Sequence, residues 1–237
     1  NNIFIDINRK KLTFLAFFLM VFFFSFTQNA NSQTVRKEKK TYVLVETSYG
    51  KMKILLYNDT PLHKENFIKL VKNGFFDDLL FHRVINNFMI QGGDPKSKNA
   101  KPGQMLGNGS PGYTIPAEFV PHRYHKKGAL AAARQGDAVN PKKESSGSQF
   151  YIVHGQKYNE QQLKMMQMQR KSTVEYTPEQ IETYKTIGGT PFLDNDYTVF
   201  GEVVEGLEVI DKIAAVECDR NNRPVVDVKM RISVIEE

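Results

Sequence analysis

The residue types that most often perform chemistry are present in this chain, but their spacings match no common reactive pattern. Its histidines do not give the His-x-x-x-His spacing of a helical metal site; they are His63, His82, His122, His125 and His154. Residues 92–94, Gly-Gly-Asp, are too short for a phosphate-binding loop. The Gly-x-Ser-x-Gly frame of a nucleophile elbow fails at Phe150. These patterns predict no metal and no cofactor, and they disfavour a hydrolase.

One stretch carries a different combination, in which an arginine and a glutamine alternate with apolar residues. Residues 81–85 are Phe-His-Arg-Val-Ile, and residues 88–94 are Phe-Met-Ile-Gln-Gly-Gly-Asp. This stretch resembles the signature of the cyclophilin family of peptidyl-prolyl cis/trans isomerases. Two further blocks are similar to that family in the same order, residues 128–134 with 145–152 and residues 192–206. Three ordered blocks favour membership of the family over chance similarity.

The resemblance implies a role for particular residues. The catalytic residues that it implies are Arg83, Phe88 and Gln91. Arg83 would donate a hydrogen bond to the proline nitrogen, and Gln91 would hold either the substrate backbone or Arg83 itself. Phe88 would line the proline pocket together with Met89, Tyr151 and Leu193. The other substrate-binding residues would be Ala133 and Arg134, which pair with the extended peptide, and three rim residues, Gln149, Phe192 and Tyr197. His82 is assigned no part in the chemistry.

These residue types suit rotation about an X–Pro bond. Amide resonance sets a barrier of about 18–20 kcal/mol, so the uncatalysed reaction takes tens of seconds or longer. A catalyst needs to favour the twisted amide, in which the proline nitrogen regains its lone pair. An arginine donor strengthens its hydrogen bond as that lone pair forms, and an apolar pocket excludes the water that favours the planar amide.

Three positions depart from the residues that the family usually carries. Phe192 stands where tryptophan is frequent, and the chain contains no tryptophan. Tyr151 stands where phenylalanine is usual, and Tyr197 where histidine is common. We therefore expect weaker cyclosporin binding and a more polar pocket than in typical members.

The elements that must position these residues are short strands. A hairpin is predicted from the β-rich residues 42–47 and 52–57 around the turn 48–51. Helices are predicted at residues 61–73, with Thr60 as N-cap, and at 207–215. Later apolar runs separated by turn residues indicate a β-sandwich or barrel; they are residues 80–85, 88–91, 129–133, 149–153, 199–204 and 225–235. The resemblance narrows this mainly β class to an eight-stranded antiparallel β-barrel capped by two helices.

Residues 158–187 interrupt this alternation of apolar runs and turns, because they contain no strand pattern and are rich in Gln, Lys, Met and Glu. Residues 177–180 form a capping box with proline in the first turn, which predicts the start of a helix. We predict an inserted helical segment here, in a loop beside the groove. The cluster Met165, Met166 and Met168 is interpreted as helix packing, with a partner-binding surface as the alternative.

The N-terminal residues predict export. Asn8-Arg9-Lys10-Lys11 precedes fifteen almost wholly apolar residues, which is the pattern of a secretory signal. Fifteen helical residues rise only about 22 Å against a hydrocarbon core of about 30 Å. We predict a signal peptide at residues 1–32, a flexible linker at 33–40 and an isomerase domain at 41–237. The mature protein would be periplasmic or secreted, with an uncleaved membrane anchor as the alternative.

Composition limits the possible partners. The net charge of +6 falls to +4 when the leader, with three basic residues and one acidic residue, is removed. Acidic residues are interspersed with the basic ones, which disfavours a nucleic-acid binder. The single cysteine, Cys218, excludes an intramolecular disulfide. We predict a monomer that acts on proline-containing polypeptides of exported proteins. The alternative is a chaperone or peptide-binding module that uses the inserted helices.

Overall fold

A curled antiparallel sheet forms the centre of the computed structural model, which describes residues 39–170 and 175–235. Within these residues the sheet has eight strands, which are β1 Thr41–Thr47, β2 Gly50–Leu56, β3 Arg83–Ile85, β4 Met89–Gly92, β6 Ala129–Ala132, β8 Phe150–Val153, β9 Val199–Glu205 and β10 Arg231–Ile235. They lie side by side in the order β10-β1-β2-β9-β6-β8-β4-β3. Two short strands, β5 Thr114–Ile115 and β7 Ser145–Ser146, pair separately and were not predicted.

The helices are α1 Pro61–Lys72, α2 Glu160–Arg170, α3 Pro178–Thr186 and α4 Leu207–Ala214. Helices α1 and α4 are the two predicted caps, and α2 and α3 belong to the predicted insertion. The predicted signal peptide and most of the predicted linker lie outside the described residues. Within the described part of the chain, no helix is both long and apolar enough to cross a membrane.

The predicted mainly β, eight-stranded antiparallel architecture is confirmed, but the sheet is a half-barrel rather than a closed barrel. Its edges are β3 and β10, which share no strand ladder. In the part of the chain that the structure describes, one bridge links the residues flanking these edges, Leu80 to Lys229. The Phe81 amide donates to the Val228 carbonyl at 2.9 Å, and the Met230 amide donates to the Leu79 carbonyl at 2.9 Å. The apolar runs at both edges therefore approach each other without forming the continuous strands that the sequence predicted.

The hairpin turn is shorter than predicted. Thr47 pairs with Gly50, so the turn contains Ser48 and Tyr49 and β2 begins at Gly50. Gly50 has a φ of 133°, and a Cβ atom there would lie 2.8 Å from a methyl group of Val209. Only glycine meets both requirements without strain, and this allows α4 to pack closely against the hairpin.

Strands β6 and β8 are continuously apolar because both of their faces are buried. Leu130, Phe150 and Ile152 belong to an inner cluster with side chains of α1 and α4. Ala131, Tyr151 and their neighbours on the opposite face form an outer cluster, whose buried members are Tyr57, Met89, Ala129, Ala131, Tyr151, Val153 and Val199. Successive residues of a strand point to opposite faces, so the inner cluster anchors the strands while the outer cluster carries pocket residues.

The N-terminus of α1 is capped by a distant carboxylate rather than by the predicted Thr60. The Thr60 side chain makes no capping bond, and its buried hydroxyl has no hydrogen-bond partner among the described residues. Glu118 instead accepts hydrogen bonds from the backbone amides of Leu62 and His63, each at 3.0 Å. A carboxylate at this position also favours the positive end of the helix dipole.

Replacing this carboxylate should destabilise the fold. We expect Glu118→Ala to lower the free energy of unfolding by about 2–4 kcal/mol, because two helix amides and the buried His63 ring lose their acceptor. Chemical denaturation at pH 7.5 measures the change. Thr60→Val is the matched control and should shift stability by less than about 0.5 kcal/mol, since it removes a hydroxyl without a partner. Equal losses in the two variants would contradict the assignment of Glu118 as the cap.

The inserted segment packs through a small cluster of its own. Tyr158, Leu163 and Tyr184 are its buried members, and Tyr124 and Tyr176 contact them. The predicted capping box is confirmed, since the Thr177 side chain accepts from the Gln180 amide and the Gln180 side chain accepts from the Thr177 amide. Helix α3 is therefore fixed at its start by a local motif and along its length by aromatic packing.

Candidate active site

The antiparallel register of β3, β4 and β8 brings the predicted catalytic side chains together. Arg83 pairs with Gln91, and Gln91 pairs with Tyr151. The Arg83 guanidinium donates from Nη1 to Gln91 Oε1 at 3.1 Å. Gln91 Nε2 in turn donates to Gln149 Oε1 at 3.1 Å. Of the two predicted roles for Gln91, this geometry places it against Arg83.

Gln149 extends this chain of side chains to a loop. Its Nε2 donates to the backbone carbonyls of Gly107 and Gly109 at 2.9 and 2.8 Å. The amide oxygens of both glutamines are therefore directed towards Arg83 and Gln91, and neither side chain is free to rotate without breaking a bond. The result is an arginine held in one orientation by neutral partners.

Arg83 differs from a structural ion-pair arginine. Among the described residues it has no carboxylate within salt-bridge distance. Partial burial lowers the pKa of its guanidinium below the usual value, but an arginine stays protonated in proteins. An oriented, half-buried charge without a counter-ion can direct its remaining donors at a bound ligand.

A surface groove of about 510 Å³ lies against this arginine. Nine of the eleven predicted site residues border it: Arg83, Phe88, Met89, Gln91, Ala133, Arg134, Tyr151, Leu193 and Tyr197. The floor is apolar, since Met89 and Tyr151 are almost fully buried. Phe88 forms a wall, with its ring centroid 5.8 Å from the Arg83 guanidinium carbon and 5.7 Å from the Phe192 ring. Phe192 is 40% exposed and contacts Phe88, but it does not border the groove.

Gln149 borders a second, adjoining groove of about 360 Å³, which Gln91, Ala133 and Arg134 share. Both backbone polar groups of Ala133 have protein partners, because its amide donates to Gln149 and its carbonyl accepts from Ser146. Ala133 borders both grooves, but its backbone amide is already bonded and is not available to a peptide. The Arg134 guanidinium lies 4.5 Å from the Tyr197 ring centroid and is held by the Asp196 carbonyl at 2.7 Å.

The Tyr151 hydroxyl does not make the pocket more polar, contrary to the expectation from sequence. It is hydrogen-bonded at 2.9 Å to Nε2 of His125, which lies behind the pocket and is fully buried. His125 was recognised only as one of five histidines, and its role depends on Asp194, which is 69 residues away in the chain. No sequence spacing indicates that contact.

Sequence reasoning also missed one wall of the groove. Gln104, Met105, Leu106, Gly107, Asn108, Asn221 and Arg223 border it together with His82. Arg223 holds this loop by donating to the carbonyls of Lys101 and Gln104 at 2.8 and 3.0 Å. Most of this wall lies outside the three blocks of family resemblance, which is the signal on which the prediction of the other walls depended.

The model of the family described as cyclophilin type peptidyl-prolyl cis-trans isomerase/CLD matches residues 42–234. The chain belongs to the cyclophilin family. It is therefore a cyclophilin-type peptidyl-prolyl cis-trans isomerase, as the signature in residues 81–94 predicted. A relative from Staphylococcus epidermidis, named as a peptidyl-prolyl cis-trans isomerase, is 34% identical over 202 residues, which are 85% of this chain and 94% of the relative. One from Staphylococcus aureus with the same name is 33% identical over 196 residues, 82% and 91% of the two chains.

Solved structures agree with the fold of this cyclophilin. A cyclophilin type peptidyl-prolyl cis-trans isomerase of Cryptosporidium parvum superposes with a TM-score of 0.60 at 23% identity, and the match covers 84% of this chain and 99% of that one. A second structure of the same protein, in the presence of the dipeptide Ala-Pro, has a TM-score of 0.58 at 23% identity and covers 83% and 99% of the two chains. At this identity, the likeness concerns the fold alone.

The cyclophilin also contains a serine–histidine–glutamate arrangement that the sequence did not reveal. The Ser145 hydroxyl lies 2.8 Å from His63 Nε2, and His63 Nδ1 lies 2.6 Å from Glu118 Oε2. This geometry is similar to that of a hydrolase triad. Ser145 is only 1% exposed, however, so no substrate reaches its hydroxyl. These hydrogen bonds connect α1 to β7. A hydrolase function is disfavoured because the serine is inaccessible, not because a nucleophile–base pair is missing.

His82 is buried in the groove wall, and neither ring nitrogen has a hydrogen-bond partner among the described residues. Burial lowers its pKa from 6.5 to about 4. Burial also lowers the pKa of His63. Both rings are therefore uncharged in the folded protein at neutral pH, which is consistent with the absence of proton transfer in the predicted reaction.

The lowered pKa values of these histidines predict that acid destabilises the folded protein. The unfolded chain takes up a proton on His82 near pH 6.5, whereas the folded chain does so only near pH 4. Between these values the unfolded state binds more protons, so the free energy of unfolding falls as the pH falls and is insensitive to this group above about pH 7. We expect His82 to account for a loss of about 3 kcal/mol between pH 7 and 4. Urea denaturation at several pH values measures the slope, and His82→Leu should make it shallower. An unchanged slope in that variant would contradict the prediction.

Proposed function

We propose that this cyclophilin accelerates X–Pro rotation by donating a hydrogen bond from Arg83 to the proline nitrogen as the amide twists. The observation that carries the proposal is the Arg83–Gln91 bond at 3.1 Å beside an apolar groove. Because Gln91 uses one Nη1 hydrogen of the guanidinium and fixes its plane, the other donors keep one direction. The guanidinium then needs no reorganisation when the nitrogen lone pair forms.

The apolar walls act on the same step. The planar amide is the more polar form, and contact with Phe88, Met89 and Leu193 in place of water disfavours it relative to the twisted amide. The proline ring is the only part of the substrate that such a pocket recognises by shape. We therefore propose proline-containing polypeptides as substrates with little discrimination among the residues before proline.

We also propose that the clients are exported proteins. This proposal is supported by residues 8–26, where a basic run precedes an apolar one. Periplasmic or secreted proteins fold after translocation, when X–Pro isomerisation is a slow step. An isomerase in that compartment acts where the unfolded clients arrive.

A second candidate function is holding unfolded clients through the inserted helices. It is favoured by Met165 and Met168 of α2, which are 52% and 72% exposed. The interpretation of the methionine cluster as packing fits only Met166, which contacts the buried cluster of the insertion. Exposed methionines adapt to varied apolar partners. Prevention of client aggregation by wild type, but not by Met165→Gln/Met168→Gln, would support this function.

The isomerase proposal is tested with the purified full chain and a peptide containing one X–Pro bond. Two-dimensional NMR exchange spectroscopy should show cis and trans signals exchanging within the mixing time only when the protein is present. The exchange rate should increase linearly with protein concentration. An unchanged rate in the presence of folded protein would overturn the proposal.

A further inference from the structure

A chain of buried hydrogen bonds joins the inserted segment to the floor of the proline groove. It begins at Tyr184 of α3, which is fully buried, and its hydroxyl donates to Asp194 Oδ2 at 2.6 Å. Asp194 Oδ1 accepts from the backbone amide of His125 and faces His125 Nδ1, both at 2.8 Å. His125 Nε2 lies 2.9 Å from the Tyr151 hydroxyl. Each polar atom of the chain has a partner, as buried groups require.

The donors and acceptors of this chain have one consistent direction. A carboxylate only accepts, so the Asp194 oxygen assigns the proton of the His125 ring to Nδ1. In the neutral ring Nε2 is then an acceptor, and the Tyr151 hydroxyl donates to it. The Tyr151 ring lies parallel to the His125 ring, with centroids 6.0 Å apart and an interplanar angle of 14°. The hydroxyl bond and the parallel ring together fix the plane in which Tyr151 faces the groove.

Asp194 couples the same chain to a second groove residue. It directly follows Leu193, which borders the groove and ends a short 3-10 turn, Pro191–Leu193. Tyr176, which precedes α3, donates its hydroxyl to the Pro191 carbonyl at 3.0 Å. The turn that carries Leu193 is thus held at one end by Tyr176 and at the other by the carboxylate that Tyr184 binds.

We infer that Tyr184, Asp194 and His125 are positioning residues, through which the inserted segment sets the orientation of Tyr151 and Leu193 in the proline groove. The inference rests on the proposed isomerase function for its effect on rate. Without the Tyr184 hydroxyl, the buried carboxylate loses one of its donors, and it regains one only by moving or by admitting water. Either response displaces His125 and Leu193, and a displacement of the pocket floor reduces contact with the twisted proline.

Tyr184→Phe is the direct test, because it removes one hydroxyl and keeps the ring. We expect kcat/KM for a proline peptide to fall about fivefold, which corresponds to one buried hydrogen bond. Tyr158→Phe is the matched control. Tyr158 is a buried tyrosine of the same cluster, and its hydroxyl accepts from Gln156 at 3.1 Å. The Tyr158→Phe variant should keep kcat/KM within twofold of wild type.

A double-mutant cycle separates positioning from general packing. Because part of the effect of Tyr184 passes through Tyr151, Tyr184→Phe should cause a smaller loss of kcat/KM in a protein that already carries Tyr151→Phe, and the part that passes through Leu193 should persist. A packing role would give the same loss in both backgrounds. Wild-type kcat/KM in Tyr184→Phe, or equal losses in the two backgrounds, would overturn the inference.

The direction of the hydrogen bonds of His125 can be measured in the wild-type protein, without a variant and without an activity assay. ¹⁵N NMR of the His125 imidazole in the folded full chain at pH 7 should show Nδ1 protonated and Nε2 unprotonated. An Nδ1 without a proton would overturn the inference even if the tyrosine variants failed to fold, because the bond to Asp194 would then be absent. An inactive wild-type protein with the expected His125 signals would instead contradict the proposed isomerase function and leave the network in place.

Discussion

Arg83→Ala should lower kcat/KM for a proline peptide by about 10- to 100-fold. The loss corresponds to one charge-assisted hydrogen bond of about 1.5–3 kcal/mol in the transition state. Because the guanidinium binds the nitrogen only as its lone pair forms, the loss should fall on kcat rather than on KM. Exchange rates over a series of peptide concentrations separate the two constants.

Arg83→Lys is the informative companion to this variant. It keeps the charge but loses the planar group that Gln91 orients at 3.1 Å. We expect an intermediate loss of activity, because a lysine ammonium has no fixed plane and rotates among its partners. Stability should change little, since Arg83 has no carboxylate partner among the described residues. Full activity of Arg83→Ala in a folded protein would exclude the proposed mechanism.

The sequence predicted those features that depend on local periodicity. The apolar runs at residues 129–133 and 149–153 identified β6 and β8 because a strand buried on both faces carries no polar alternation. The capping box at residues 177–180 predicted the start of α3 because its two hydrogen bonds lie within one turn. In both cases, the signal lies within a short run of the sequence.

Features set by distant contacts could not be predicted. Thr60 has the residue type of an N-cap, but Glu118, 56 residues from Leu62, binds the helix amides instead. His125 and Asp194 lie 69 residues apart, so their contact exists only after β6, β8 and the turn before β9 have assembled. The prediction of a closed barrel was wrong for a similar reason. Whether β3 and β10 form a ladder depends on the curvature of all eight strands, which no single strand sequence encodes.

The site residues were accessible to sequence reasoning only through the family resemblance. Periodicity alone would assign Met89 and Leu193 to an ordinary core, because a pocket floor and a core have the same composition. Arg83 alone would pass as an ion-pair residue. The structure distinguishes these cases by what surrounds each side chain, namely a groove of about 510 Å³ for the apolar residues and an amide partner for the arginine.

Phe88→Ala should lower kcat/KM by about 30- to 100-fold. Removal of a packed aromatic ring costs about 2–3 kcal/mol of contact with the bound proline, and it opens the groove to water. The ring also lies 5.8 Å from the Arg83 guanidinium carbon, so the arginine loses a wall as well. The backbone should keep its place, because the Phe88 carbonyl accepts from the amides of His154 and Gly155 at 3.1 and 3.0 Å.

Two further variants test whether the effect of Phe88→Ala is specific to the groove wall. Phe88→Leu restores apolar bulk and should recover most of the lost activity, whereas Phe119→Ala removes a ring that is 38% exposed and outside the groove. The Phe119 variant should stay within twofold of wild type. If Phe88→Ala also left kcat/KM within twofold, exclusion of water by the apolar wall would contribute nothing measurable. Arg83 would then account for the catalytic effect alone. The losses in Arg83→Ala and Phe88→Ala together therefore apportion the rate enhancement between hydrogen bonding and desolvation.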